Sequence, residues 1–247
     1  MRRIIIAAIA GLWPLISAAS GGGAHLEKAD IDLGNKASLQ RGARYYVNYC
    51  IGCHSLQYQQ YQRLGEDLEI PRDLVIEDLM FGLGRIGDYM TNAMPAEEAA
   101  EWFGKAPPDL SVVARSRGSD WLYTYLTSFY ADDSRPFGVN NLVFKDVGMP
   151  HVLVELQGLR KAVFETEKDE ETGQVHERFV RFEPVTKGSM SEAEYEQAVR
   201  DLVGFLTYVG EPAKLVRGKI GVWVLIYLAI LFVFAYALKK EYWKDVH

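Results

Sequence analysis

Cys50-Ile51-Gly52-Cys53-His54 has the spacing C-x-x-C-H, which is the attachment signature of a c-type haem. In such a site the two thiols become thioethers to the porphyrin, and the histidine binds the iron as its proximal ligand. A redox dithiol would not require histidine at the next position, and a zinc site would need a second pair of ligands. The chain has no third cysteine. We therefore predict one covalently attached haem c, held by Cys50, Cys53 and His54.

The segment before this motif is predicted to be a helix that ends at the first cysteine. Ser38 is a suitable N-cap. The apolar residues that follow recur at helical spacing, namely Leu39, Ala43, Tyr46, Val47 and Cys50. A last helix is predicted from Ser191 to Tyr208, with an apolar face formed by Val199, Leu202, Val203, Phe205 and Leu206. A first helix that delivers the haem motif, with a last helix packed against it, is typical of class I cytochromes c.

Two stretches between these helices are predicted to be strands. Val152 to Phe164 and Val175 to Val185 contain β-branched and alternating residues, and a charged turn, Glu165 to Gly173, separates them. We interpret them as a β-hairpin inserted into a helical domain. Its acidic turn is either a solvated loop or a docking surface for a basic partner. The predicted fold is therefore mainly α, a class I cytochrome c-like haem domain with an inserted β-hairpin.

The N-terminus has the layout of a secretory signal peptide. Arg2-Arg3 is a short positive region, Ile4 to Ile16 is apolar, and small residues follow. Cleavage after Ala19 fits the small-x-small rule, cleavage after Ala24 is a second site, and an uncleaved anchor is the alternative. Without residues 1–19, the 27 basic residues fall to 25 against 33 acidic ones. This balance argues against nucleic acid as a partner and favours a basic protein.

A second apolar stretch lies near the C-terminus. Ile220 to Leu238 is nineteen residues without a charge, and as a helix it spans about 28 Å, close to the thickness of a hydrocarbon core. Aromatic residues typical of membrane interfaces lie near its two ends, with Trp223 and Tyr227 inside one end and Tyr242 and Trp243 just past the other. A buried helix of a soluble protein is the alternative. With an exported body, residues 25–210 form a periplasmic domain, and 239–247 form a cytoplasmic tail.

The sixth iron ligand is not decided by the residues alone. A methionine would raise the reduction potential, as in electron-carrying cytochromes. Met94-Pro95 and Met149-Pro150 both resemble ligand loops, and Met190 lies directly before the last helix. His151 would give a bis-histidine iron, although a packing role is the alternative.

Residues 106–111 read Ala-Pro-Pro-Asp-Leu-Ser and interrupt helix, because two prolines remove backbone donors. Such a segment, which includes Pro108, is suited to lie against a porphyrin. Arg115 and Arg117 follow, and either guanidinium would match a haem propionate or remain solvated. We find no constellation of acid, base and nucleophile, so the chain is not predicted to be an enzyme on its own.

Taken together, these residues resemble the cytochrome c1 family, the haem subunit of the bacterial quinol–cytochrome c oxidoreductase (bc1 complex). The resemblance rests on the motifs Arg41-Gly42 through Tyr46 to Leu56, Pro107 to Ser111 with Arg115 to Arg117, Met149-Pro150, Met190-Ser191 and one C-terminal span. It implies that Met149 joins His54 as an axial ligand and that Arg117 or Arg115 binds a propionate. The segment between Met149 and Met190 departs from the shorter mitochondrial pattern, so partner contacts there cannot be carried over.

The resemblance also implies a function. The haem would take one electron from the Rieske iron–sulfur subunit and pass it to a c-type cytochrome. Cytochrome b would be a further partner in a dimeric complex of the bacterial inner membrane, with a single-pass anchor and a periplasmic haem domain. The alternatives are a membrane-anchored haem subunit of another complex, such as a terminal oxidase, and a peroxidase or gas sensor with an open sixth position.

Overall fold

The computed structural model describes residues 25–168 and 175–245. Three predicted features lie wholly or partly outside the described residues. They are the signal peptide (1–19, or to residue 24), the second half of the acidic turn (169–173) and the end of the cytoplasmic tail (246–247).

Helices dominate the described part of the chain, and one long apolar helix ends it, which confirms the predicted fold class in outline. The helices are α1 (Lys36–Tyr49), α2 (Tyr61–Leu68), α3 (Arg72–Leu74, continued by a π-helix over Val75–Leu79), α4 (Ala96–Phe103), α5 (Val113–Arg117), α6 (Ser119–Thr127), α7 (Val154–Gln157), α8 (Glu192–Gly210) and α9 (Lys214–Tyr242). The strands pair antiparallel as β1 (Leu56–Gln60) with β2 (Tyr89–Met90), β3 (Phe129–Ala131) with β4 (Val139–Asn141), and β5 (Arg160–Lys168) with β6 (Val175–Pro184).

Helices α1 and α8 pack against each other at the centre of the domain. Gly42 permits their close approach, because a Cβ at this position would lie 2.0 Å from the carbonyl oxygen of Asp201. The buried Asp201 carboxylate accepts hydrogen bonds from Ser38 Oγ at 2.5 Å and from Arg41 Nε at 2.6 Å. The prediction of Ser38 as the N-cap was wrong. Asn35 caps α1 by accepting from the backbone N–H of Ser38, whose hydroxyl is used by Asp201 instead.

The apolar side chains form one large core and one small cluster. The large core has fully buried aromatic residues from α1, α6 and α8, namely Tyr46, Tyr123, Phe205 and Tyr208. The small cluster consists of Phe129, Val139 and Val147, with the half-buried Met149 packed against it. Tyr125 of α6 contacts both. The segment that carries Met149 therefore lies against its own small cluster and is joined to the core through Tyr125.

Strands β5 and β6 pair antiparallel along their lengths, which supports the two arms of the predicted hairpin. The prediction of a strand from Val152 was wrong, because residues 154–157 form α7. The chain then turns at Gly158, whose φ of +81° favours glycine. A Cβ there would also lie 2.3 Å from the Thr186 carbonyl oxygen. The strand can therefore begin only after this glycine.

The outer end of β5 carries less free negative charge than its sequence suggests. Glu165 and Glu167 both pair with Arg178, at 3.6 Å and 3.0 Å. Exposed pairs of this kind add little stability. They do neutralise part of the predicted acidic turn, which favours the solvated-loop interpretation for the described part of it.

Two further boundaries differ from the sequence prediction. The sequence after Ser119, which can cap a helix, predicts a helix from Asp120 to Tyr130. Helix α6 instead ends at Thr127, because the Asn141 side chain donates to the Tyr125 carbonyl (2.7 Å) and the chain then enters β3. The sequence of residues 88–118 has no strong helical periodicity, yet it contains α4 and α5. Ala99 is the one buried residue of α4, so that helix has no apolar stripe for a pattern to reveal.

Helix α9 leaves the domain as a long apolar rod. It is 29 residues long, and none of its side chains is buried in the chain. By length and composition it can cross a membrane, with a mean hydropathy of 2.5 in its most apolar window. It extends beyond the predicted span of 220–238 at both ends. Its first turn still belongs to the domain, since Leu215 packs against the large core.

Candidate haem-binding site

The C-x-x-C-H motif forms a tight turn directly after α1. The backbone N–H groups of Cys53 and His54 both donate to the Cys50 carbonyl, at 3.1 Å and 2.9 Å. Cys50 is buried in the core, and Cys53 and His54 are half-buried. Burial raises the pKa of the Cys50 thiol to about 12. The turn thus places both sulfurs and the imidazole within one compact segment, and the cysteines form no disulfide.

The imidazole of His54 is oriented by the proline segment. Its Nδ1 lies 2.7 Å from the Pro108 carbonyl oxygen. A carbonyl can only accept, so Nδ1 carries the proton and the lone pair of Nε2 is available to a metal. Burial lowers the pKa of His54, opposed by the Pro108 carbonyl and the Asp109 charge. The side chain is therefore held as a neutral imidazole in the tautomer that iron ligation requires, and the residues present fit a c-type haem.

Four hydrogen bonds hold residues 109–111 in place. Three of them join this segment to the residues that follow His54, and one shapes the turn within the segment. Asp109 accepts from the backbone N–H of Gln57 at 2.9 Å and of Ser111 at 2.8 Å. The backbone N–H of Leu110 donates to the Ser55 carbonyl at 2.9 Å, and that of Tyr58 donates to Ser111 Oγ at 3.2 Å. These bonds hold the proline segment against the residues that follow His54. They therefore keep the Pro108 carbonyl oxygen beside the imidazole.

We expect Asp109→Ala to weaken the attachment of residues 109–111 to the chain after His54 and so to destabilise the fold. The change leaves two backbone N–H groups without their charged acceptor, which costs roughly 1–3 kcal/mol of unfolding free energy. Guanidinium unfolding of the haem-loaded protein, followed by circular dichroism, measures the loss. Asp133→Ala removes an exposed aspartate in the loop between β3 and β4 and serves as the control. Equal stability of the two variants would contradict the role assigned to Asp109.

Met149 lies in the loop after β4, next to the small apolar cluster. Its sulfur accepts a hydrogen bond from the Tyr125 hydroxyl at 3.3 Å. Burial raises the pKa of Tyr125 far above its usual value, so the hydroxyl keeps its proton and acts as a donor. The side chain of Met149 is thus half-buried, and its sulfur uses one of its two lone pairs to accept this hydrogen bond.

One segment connects the loop of Met149 to the imidazole of His54. A Cβ on Gly148 would lie 3.2 Å from the Phe103 carbonyl oxygen, so the end of α4 touches this loop. Five residues later, Pro108 contacts His54. An extended chain advances at most about 3.6 Å per residue, so these two contacts are separated by no more than about 18 Å. The end of α4 and the proline segment therefore connect the Met149 loop to His54 over a short stretch of chain.

The other candidate ligands lie in different surroundings. His151 is buried and stacked on Phe129 with ring centroids 4.9 Å apart. Burial lowers its pKa to about 4, opposed by the Gln157 side chain. Met190 packs against the large core just before α8, and the half-buried Met94 precedes α4. The choice of Met149 stays a prediction, and the Tyr125 contact distinguishes it from these alternatives.

The two predicted propionate ligands are both exposed. Arg117 lies over the ring of Trp121 at 5.0 Å, and Trp121 stacks on Tyr125 with centroids 5.0 Å apart. The stem of Arg115 instead lies beside Gly210 of α8. Within residues 25–168 and 175–245, neither guanidinium forms an ion pair. The aromatic pair thus links Arg117, and not Arg115, to the residue that contacts Met149.

Sequence reasoning missed Tyr125 and the hydrogen bonds of Asp109. From the sequence, the aromatic residues between Asp120 and Tyr130 predict core packing close to the haem, without a role for any one of them. A partial signal was present, since Trp121 and Tyr125 are four residues apart in α6 and so share a helical face, whereas Arg117 belongs to α5. Asp109 offered no comparable signal, because its partners are backbone groups that any residue could supply.

Comparison with known proteins supports a haem protein of this kind over nearly the whole chain. A family model described as the Cytochrome C1 family matches residues 30–246. A cytochrome c1 of Allochromatium vinosum is 53% identical over 247 residues, which is the full length of both chains. A protein of Nitrosomonas europaea named ammonia monooxygenase gamma subunit is 43% identical over 96% of this chain and 95% of its own. A cytochrome c1 of Rhodospirillum rubrum is 25% identical over 86% of this chain and 83% of its own.

Proposed function

This chain belongs to the cytochrome c1 family, and from that premise we propose that it carries single electrons from a Rieske iron–sulfur subunit to a c-type cytochrome. Members of this family are electron-transfer subunits of the respiratory bc1 complex, anchored in the membrane, and carry one covalently attached haem c. The proposal adds the direction of electron flow, the two exchange partners and the residues that serve the haem.

The observation that carries the proposal is the His54–Pro108 contact beside the two cysteines. Two thiols that can form thioethers, beside an oriented neutral imidazole that can bind iron, suit a c-type haem. When bound, that group supplies a centre that gains or loses one electron. Cys50 and Cys53 would hold it covalently, and His54 and Met149 would bind its iron.

Further residues would complete the site. Arg117 would bind a propionate, since a planar guanidinium suits a carboxylate and its stack on Trp121 holds it near Tyr125. Arg115 is the second candidate for this role. Pro108 orients His54 through its carbonyl oxygen. Electron transfer needs no proton donor or nucleophile from the chain, so we propose no enzymatic step that it performs alone.

The proposed placement follows from the two ends of the chain. Helix α9 would anchor the protein in the bacterial inner membrane, and the predicted signal peptide would put the haem domain, residues 25–210, in the periplasm. Residues 239–247 would then lie in the cytoplasm. Cytochrome b and the Rieske subunit would be the permanent partners, in a dimeric complex. A basic c-type cytochrome suits the acidic composition of the chain.

A second candidate function is that of a haem subunit in a different membrane complex. The relative from Nitrosomonas europaea is named as a subunit of a monooxygenase, and it covers nearly the whole chain. A terminal oxidase subunit would share the anchor and the haem motif as well. These candidates differ from the first in the proteins that purify with the chain.

Purification of the full chain from detergent-solubilised membranes tests the proposal. We expect b-type haem and the electron paramagnetic resonance signal of a Rieske cluster in the same fraction. Added quinol should reduce the c haem, and subsequent mixing with an oxidised c-type cytochrome should reoxidise it. A Cys53→Ala variant, which lacks one thioether, provides the control for haem incorporation. A complex without b haem and Rieske signal would overturn the proposal and support the second candidate.

A further inference from the structure

Tyr125 contacts Met149 through a polar atom, and nothing in the family resemblance assigned this residue a role. Its hydroxyl donates to the thioether sulfur at 3.3 Å. We propose that Tyr125 is a positioning residue that raises the reduction potential of the haem by donating this hydrogen bond to Met149. The inference rests on the proposed function, because it requires Met149 to be the sixth ligand.

The ring of Tyr125 is fixed between two aromatic neighbours. It stacks on Trp121 with centroids 5.0 Å apart and planes inclined by 10°. Its other side meets Phe129 edge-on, with centroids 5.2 Å apart and an angle of 71°. These contacts restrict both side-chain torsions, so the hydroxyl points in one direction without a second hydrogen bond to hold it.

The backbone of Tyr125 is fixed as well. Its carbonyl oxygen accepts from Asn141 Nδ2 at 2.7 Å and from the N–H of Ser128 at 3.4 Å, where α6 gives way to β3. Among the described residues, the sulfur of Met149 is the one hydrogen-bond partner of the hydroxyl. A buried hydroxyl without this partner would lose the free energy of a hydrogen bond. The contact therefore stabilises the loop of Met149 in one position relative to α6.

A thioether sulfur has two lone pairs, so it can bind a metal with one and accept a proton donor with the other. The hydrogen bond withdraws electron density from the sulfur and makes it a weaker donor to the metal. Ferric iron, with its higher charge, loses more from a weaker donor than ferrous iron does. The bond therefore favours the reduced state, which is the tuning of an axial ligand by its own hydrogen-bond partner.

Tyr125→Phe tests the inference, because it keeps the ring and its packing and removes the hydroxyl. In the full chain purified with its haem, we expect a lower reduction potential and a shifted far-red band of methionine-to-ferric-haem ligation. Tyr123→Phe is the matched control, since this residue lies on the same helix and its hydroxyl accepts from Arg200 instead (3.0 Å).

A change of the opposite sign in the reduction potential is expected from 3-fluorotyrosine at position 125. This side chain is nearly the same size as tyrosine, and its hydroxyl is a stronger hydrogen-bond donor. It should raise the potential, and it keeps the test decisive if Tyr125→Phe incorporates too little haem. A wild-type far-red band together with an unchanged potential in the 125 variants would overturn the inference and leave the proposed function intact. A wild-type protein without that band would overturn the inference and the choice of Met149 as a ligand, whereas the electron-transfer role is tested separately by the partners that purify with the chain.

Discussion

Met149→Leu is expected to keep the haem covalently attached and to lower its reduction potential on the order of hundreds of millivolts. Leucine has nearly the same volume but no lone pair, so the iron loses the soft ligand that favours its reduced state. The choice of axial ligands moves haem potentials over about 0.8 V, so the loss of one ligand is a large change. Potentiometric titration measures the shift, and the far-red band should disappear.

Attachment should survive because the thioethers come from Cys50 and Cys53, at the end of α1. These residues are held by backbone hydrogen bonds that do not involve the Met149 loop. Met94→Leu is the matched control, since Met94 also precedes a proline and is also half-buried. We expect it to keep both the band and the potential. An unchanged potential in Met149→Leu, or a large shift in Met94→Leu, would contradict the assignment of the ligand.

The sequence predicted those parts of the fold that repeat with a helical period. The apolar residues of α1 and α8 predicted both helices, their packing was expected from class I cytochromes c, and α9 followed from its uncharged length. Predictions failed where one long-range contact decides the structure. Asn141 ends α6 at Thr127 by taking the carbonyl of Tyr125, and Asp201 takes the hydroxyl of Ser38. Such partners are far apart in the chain, and no local pattern reports them.

In the candidate site, too, adjacent residues could be predicted from the sequence, whereas contacts between distant residues could not. Cys50, Cys53 and His54 are adjacent, so their spacing alone indicates their chemistry. The role of the Pro108 carbonyl depends on which atom meets His54, which only the folded chain shows. The same is true of the Tyr125 hydroxyl. The sequence thus predicted which loops contribute to the site, but not the hydrogen bonds that orient the ligands.

Truncation after Arg217 is expected to release the haem domain from the membrane in soluble form. The removed part contains residues 220–238, whose twelve Leu, Ile, Val and Phe side chains favour insertion by roughly 4–7 kcal/mol in total. None of α9 is buried in the domain, so its removal opens no cavity there. Fractionation of cells that lack the partner subunits measures the outcome, with the full-length chain as the control.

The position of the cut follows from the first turn of α9. Leu215 packs against the large core, and Arg217 pairs with Glu211, so a cut after Arg217 leaves these contacts in place. The soluble fragment should therefore keep the far-red band and the reduction potential of the full chain. A fragment that remains with the membranes would show that another surface binds the bilayer. A soluble fragment with an altered potential would instead show that α9 supports the haem domain as well as anchoring it.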